Sequence, residues 1–295
     1  MKKIDLGGTV LILGATLIWG IGIVALTVGM NYMGPFTLSS VRFLMGGSAA
    51  LGPALYFAKN NPEKSESKKS MFWPFVLCGV VLCLSVMLRQ FALIYTSVGR
   101  VAFISALFVI IVPIAGIFFG RRASKQVWVA VLISLFGMYL LGFYGGLTLN
   151  LGDVLAFICA FTFAGHILLI NHFSKSKNIL ALVSIQAFTV GLITLALAFV
   201  FESPSFGAII DGLRYVLYAG IMSSFVAQLM QIRAQKTVDP TIASILFSME
   251  AIFATITGWL VLHQFLSPRE IFGCALLFVA VVLAKLPLPQ RKAHE

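Results

Sequence analysis

Residues 240–262 read PTIASILFSMEAIFATITGWLVL, and Glu250 is the one formal charge among them. At about 1.5 Å per residue the run is long enough to cross a hydrocarbon layer about 30 Å thick. Glu250 lies about ten residues in, close to mid-membrane. A carboxylate at that depth costs about 2.5–3.5 kcal/mol on insertion scales. Its helical neighbours at i−7, i+4, i+7 and i+8 are Ala243, Ala254, Thr257 and Gly258, all small. The acid is therefore expected to face a packed interior or a cavity rather than lipid. Three roles compete for it: binding a substrate cation, carrying a proton, or pairing with an arginine.

The rest of the chain has the same character. Of its 295 residues 60% are apolar and 11% charged, with a mean hydropathy of +1.01. Soluble domains carry about 25% charged residues. This much apolar surface points to lipid as the solvent. Ten apolar segments of spanning length can be marked: 6–29, 35–58, 71–94, 97–119, 126–145, 151–172, 179–201, 213–234, 240–262 and 269–286. The first is longer than a signal-peptide core of about 7–15 residues, so it is expected to stay as a membrane helix. Connectors are short; the notable hydrophilic one is KNNPEKSESKKS, Lys59 to Ser70.

The net charge of +11 does not indicate nucleic acid, because no basic stripe interleaved with aromatics is present. Sixteen of the 21 Lys and Arg fall on one side if the spans alternate, and three, Arg100, Arg214 and Arg269, on the other. The positive-inside rule then places both termini in the cytoplasm, in a cell or inner membrane. The four cysteines lie in apolar runs without a CxxC pair and are expected to be small buried hydrophobes.

A shift of 145 lays Leu6, Gly7, Ala15 and Gly20 on Leu151, Gly152, Ala160 and Gly165, and Ser39 and Phe43 on Ser184 and Phe188. A shift of 143 pairs Ser105 with Ser248, Ser124 with Ser267 and Leu140 with Leu283. The hydropathy layout recurs as five spans plus five, which divides the chain into 1–146 and 147–295. An odd number of spans per repeat inserts the halves with opposite orientation. Inverted repeats point to a secondary transporter with a midplane site between the halves. Small-residue stripes, Gly152–Ala156–Ala160–Ala164 and Gly116–Gly120, are expected at close helix contacts.

The stretches TLSSVRFLMGG (Thr37–Gly47), AFISALFVIIVPIAGIFFGRRAS (Ala102–Ser124) and, more clearly, YAGIMSSFVAQLMQIRAQKTVDPTIASILFSMEAIFATITGWLVLHQFLSPREIFGCALLFVAVVLA (Tyr218–Ala284) resemble the EamA-type transporters of the drug/metabolite transporter superfamily. The resemblance covers nearly the whole chain. It implies an all-α membrane protein of ten helices in two inverted five-helix repeats. These surround a central cavity lined by helices 1, 3, 4, 6, 8 and 9. It also implies transport of amino acids, other metabolites, nucleotide sugars or toxic organic compounds. Arg42 matches the family's arginine in the second helix, Gln186 a recurrent glutamine in the seventh, Ala234-Gln235 the pair before the ninth, and Glu250 the acid of a Glu-Pro pair. Ala251 replaces that proline, and His263-Gln264 stands where a Gly-Glu usually closes the ninth helix.

Other intramembrane polar residues are candidates for the cavity or its frame. Arg42 is expected either to anchor helix packing through backbone carbonyls or to pair with Glu250. Arg89 and Gln90 lie near the outer end of the third span; Arg89 either snorkels to water or attracts an anionic group, and it is the other arginine with which Glu250 could pair. His166 is either a bonded core residue or a group that titrates near neutral pH. Trp19 is too deep for an interfacial belt, which leaves cavity lining or core. Gln228 and Gln231 share a helix face and need partners. Asp153, Glu202, Asp211 and Glu270 are expected to be solvated acids at the outer side. No HExxH, GxSxG or GxxxxGK[ST] motif and no carboxylate pair within one span is present, so neither enzyme chemistry nor a cofactor or metal is expected.

The expected function is transport of a small polar metabolite, amino acids first, by alternating access, with proton-coupled export as a candidate mode. The expected partners are that small molecule, the lipid bilayer and protons. The alternatives are efflux of cationic or aromatic compounds, or a receptor or scaffold that transports nothing.

Overall fold

The apolar run 240–262 is not one helix. The computed structural model describes residues 5–61, 68–118, 120–121, 123–142, 149–175, 178–262 and 267–286. In it, Pro240–Phe247 and Met249–Leu262 are separate helices that meet at Ser248. Every regular element among the described residues is helical: α1 (Leu6–Gly29), α2 (Pro35–Asn60), α3 (Lys68–Tyr95), α4 (Val98–Ser105), α5 (Phe108–Phe118), α6 (Lys125–Gly142), α7 (Leu151–Phe173), α8 (Ile179–Phe201), α9 (Phe206–Asp211), α10 (Leu213–Leu217), a π-helical stretch (Tyr218–Ala227), α11 (Gln228–Ala234), α12 (Pro240–Phe247), α13 (Met249–Leu262) and α14 (Pro268–Lys285). The boundary at 146/147 and the pair His263-Gln264 lie outside the described residues.

Eight helical segments among the described residues are long and apolar enough to cross a bilayer. Two segments marked as spans, α2 and α14, fall short of that standard for visible reasons. α2 carries Arg42 among serines, threonine and glycines, and α14 holds Arg269, Glu270 and Lys285 within 18 residues. Large apolar side chains such as Phe118, Trp73, Phe206 and Phe199 are exposed around the bundle, as lipid contact requires. The chain is an integral, multi-pass membrane protein.

Three spans are interrupted where the sequence suggests continuous helices. Between α4 and α5, and between α12 and α13, the chain tightens into i→i+3 bonds: Leu107 N–H to Ile104 O at 3.2 Å, and Ser248 N–H to Ile245 O at 3.2 Å. Such mid-helix tightening marks strain or a hinge. No proline sits at either break, so the loss of the family's proline at Ala251 does not straighten α12–α13. The Ser248 hydroxyl is held by Ile245 O and lies 3.1 Å from Ser134 Oγ on α6, which ties the break to a neighbour. The third interruption is the π-helical stretch between α10 and α11. The connector that follows α8 also holds a short helix, α9.

Packing pairs distant parts of the sequence. α2 lies along α8, α6 along α14, α3 along α7, and α1 along α13, the π stretch and α11. The small stripe of α7 meets α3 at its Gly152 end. Gly152, Ala156, Ala160 and Ala164 are all buried, and a Cβ at Gly152 would stand 2.8 Å from Ala92 O. Gly120 does something other than the close packing expected of Gly116–Gly120. Its φ of +72° lets it end α5, with Arg121 N–H closing onto Gly116 O at 2.9 Å and Gly120 N–H onto Ile117 O at 3.0 Å.

Two acids expected to be solvated, Asp153 and the half-buried Glu202, are instead engaged at helix N-termini. Asp153 is 2% exposed, pairs with Arg100 at 2.6 Å and caps its own helix with Asn150. Glu202 accepts from Phe36 N–H and Thr37 N–H, each at 2.8 Å, and from the Thr37 hydroxyl at 2.6 Å. Both satisfy orphan donors at helix N-termini, where a carboxylate is favoured. Glu270 closes a capping box with Ser267, and Asp211 is exposed.

Candidate functional site

A cavity of about 130 Å³ opens at the centre of the bundle, where the two helix breaks and the π stretch meet. One water needs only about 10–15 Å³ by this measure, so the space suits several waters or a small solute. Its wall is built from α1, α3, the α4–α5 break, α7, the π stretch with α11, and the α12–α13 break. α2 also contributes, through Arg42 and Phe43, beyond the six helices expected.

The break at Ser248 positions Glu250 in the first turn of α13, aimed into this space. Arg89 Nη2 donates to Glu250 Oε1 at 2.7 Å. Side-chain exposures are 22% for Arg89 and 15% for Glu250, so the pair faces the cavity rather than dry protein. The guanidinium also lies 5.9 Å from the Phe163 ring centroid. Of the arginines that sequence alone left open as partners, the structure pairs Arg89, not Arg42, with Glu250. Arg89 does not reach outward to bulk water.

Gln90, on the next position of α3, is turned to α2. Its Oε1 accepts from Ser39 at 2.7 Å and its Nε2 donates to Pro35 O at 3.1 Å. Trp19 lines the cavity from α1 and donates from Nε1 to Ser223 O in the π stretch at 3.2 Å. Its ring leans on Phe247, with centroids 5.9 Å apart.

A chain of amides runs behind the wall. Gln186 Nε2 donates to Gln228 Oε1 at 3.1 Å, and Gln186 Oε1 stands 3.4 Å from His166 Nε2. With the Gln186 amide so oriented, its oxygen is left to accept, and His166 Nε2 carries the proton in this pairing. Gln186 is fully buried and does not line the cavity, whereas His166, Gln228 and Gln231 do. Arg42 is 5% exposed and lines the cavity beside Phe43. Among the described residues its Nε has no hydrogen-bond partner, and no carbonyl bond of the kind an anchoring role calls for is seen.

Sequence reasoning did not single out Ser223, Ser224, Ser105 or Ser248, all of which line the cavity. Ser105 and Ser248 were visible only as a repeat pair. Among the described residues no cluster of His, Cys, Asp and Glu suited to a metal is present.

The EamA-like transporter family model matches residues 6–143 and again 150–286. An uncharacterised transporter from Archaeoglobus fulgidus is 27% identical over 271 residues, covering 92% of this chain and 83% of the relative. A solved crystal structure superposes with a TM-score of 0.79 at 18% identity, covering 94% of this chain and 96% of that one, which is a likeness of fold. The chain belongs to the EamA-like transporter family.

Proposed function

We propose that this membrane transporter moves a small polar metabolite, an amino acid in the first instance, by alternating access around the central cavity. The observation that carries this reading is the Arg89–Glu250 ion pair facing a solute-sized space at a helix break. Glu250 then serves as the binding or coupling acid. Protonating it removes the charge that holds Arg89, which gives proton movement a direct grip on two helices, α3 and α13. Family membership favours transport over a receptor, a scaffold or an enzyme.

In this reading the chain spans ten times, in halves 1–146 and 147–295 of opposite orientation, with both termini cytoplasmic. Several pairings support it. α2 with α8 and α6 with α14 join corresponding spans of the two halves. The breaks at Ser105–Leu107 and Ser248 fall at positions related by the repeat. Asp5 before α1 accepts from Thr237, and Asp153 in the first turn of α7 accepts from Thr96 at 3.3 Å, a carboxylate–threonine bond beside the first helix of each half. The substrate cavity is assigned to Glu250, Trp19, Arg89, Gln90, His166, Gln228 and Gln231, with Gln186 as frame.

Efflux of cationic or aromatic compounds is favoured by one observation: Trp19, Phe43, Phe108, Phe163 and Phe247 line the same space. Reconstitution into proteoliposomes separates the readings. Saturable flux of an amino acid or similar metabolite is expected from a broad panel. Flux confined to lipophilic cations would favour efflux, and no flux from a folded protein would sink the transport reading.

A further inference from the structure

Two buried polar atoms on the cavity wall lack partners among the described residues, and they sit on elements packed against each other, α2 and the π stretch. Arg42 is 5% exposed, its Nε has no hydrogen-bond partner, and its guanidinium packs 4.4 Å from the Phe43 ring centroid. One turn along the same face of α2, Gly46 touches the π stretch: a Cβ there would stand 2.9 Å from Ser224 Cβ. Ser224 is 1% exposed, and its Oγ also has no partner. Both residues line the cavity. Each can donate, and no acceptor meets either among the described residues.

The charge balance points the same way. The described lining residues include two guanidiniums, Arg42 and Arg89, and one carboxylate, Glu250, already bound to Arg89. Arg42 is left as a buried cation without a counter-charge, an arrangement that is costly unless an anion completes it. His166 faces Gln186 and supplies no negative charge.

We propose that Arg42 and Ser224 form an anion subsite that takes the carboxylate of the transported solute. This rests on the transport reading and deepens it by naming the recognised group and the side chains that hold it. A planar guanidinium with a free Nε–H matches a carboxylate through two parallel bonds. Ser224, reaching in from the π stretch, supplies a third donor. A single excess positive charge suits a monocarboxylate better than a dianion, which Glu250 would repel. A zwitterion also fits, with its ammonium group turned toward Glu250. A solute bearing only an ammonium group leaves Arg42 unmatched and adds like charge.

The test is calorimetric titration of the full chain in lipid nanodiscs. The probes are leucine, phenylalanine, alanine and lysine, each beside its decarboxylated amine and its deaminated acid. A carboxylate-bearing member is expected to bind at least about tenfold more tightly than the matching amine. Arg42→Gln is expected to remove that preference, and Arg42→Lys to retain part of it, since an ammonium offers a point charge and no fork. Ser224→Ala is expected to weaken carboxylate binding about threefold. A merely structural Arg42 would lower the melting temperature of Arg42→Gln and leave the acid-to-amine ratio unchanged. Should Arg42→Gln fail to fold, Arg42→Lys and Ser224→Ala carry the test. Unchanged carboxylate affinity in both, equal binding of amines and acids, or no carboxylate binding at all overturns the subsite. Carboxylate binding without flux would instead refute the transport reading and leave the subsite standing.

Discussion

Glu250 is costly in lipid, and its pairing with Arg89 at 2.7 Å offsets that cost. Glu250→Gln leaves Arg89 facing the cavity with a neutral amide in place of its counter-charge. Loss of one partner from a buried pair costs about 3–5 kcal/mol, and the half-wet setting here brings that nearer about 2 kcal/mol. A drop in melting temperature of the purified variant, restored in large part in Arg89→Gln/Glu250→Gln, is the expected result. An additive double variant would show that the two residues do not interact. That Glu250 turns inward was legible in sequence, because a charge in an apolar run must avoid lipid and its helical neighbours are small. Its partner was not. Arg89 is 161 residues away, and only the rotation of α3 and the break before α13 bring the two together. The capping roles of Asp153 and Glu202 are hidden for a related reason. An acid near a span end reads as solvated unless the helix N-terminus it caps is known.

Helix ends and interruptions are the next scale. The breaks in 97–119 and 240–262 carry no proline or glycine pair, and the π stretch has the composition of an ordinary span. Hydropathy therefore marks where these spans run but not where they bend. Small stripes are easier to read. Gly152→Leu is expected to push α7 off α3 and cost about 2–3 kcal/mol by overpacking, seen as a lower melting temperature, while Val154→Leu on the exposed face changes little. Asp5 caps α1 through Gly8 N–H at 3.0 Å and accepts from Thr237, and these bonds hold its pKa below the ordinary 3.8. The sign follows: a lowered carboxylate pKa stabilises the fold above pH 3.8, and that contribution is lost as the pH falls through the lowered value. Asp5→Ala is expected to cost about 1 kcal/mol at neutral pH. Melting curves of the variant and the parent should converge in acid; a gap that persists there would assign the loss to something other than the carboxylate.

At the scale of the whole molecule, the placement of basic residues and the alternation of spans argue one orientation. Lys59 at the end of α2 and Asp211 at the end of α9 are both exposed and, in that topology, lie on opposite faces of the membrane. The native cysteines are buried or half-buried, so single cysteines at these positions can be read against a low background. An impermeant maleimide added to intact cells is expected to label Asp211→Cys at once and Lys59→Cys only after permeabilisation. The reverse order would invert the topology. The proposed coupling of proton and solute movement runs through Glu250 in the cavity. It is tested most directly by amino-acid flux in proteoliposomes under an imposed pH gradient, for the parent and for Glu250→Gln. Flux that follows the gradient in the parent and loses that dependence in the variant is the expected result. Gradient-driven flux of undiminished pH dependence in Glu250→Gln would contradict it.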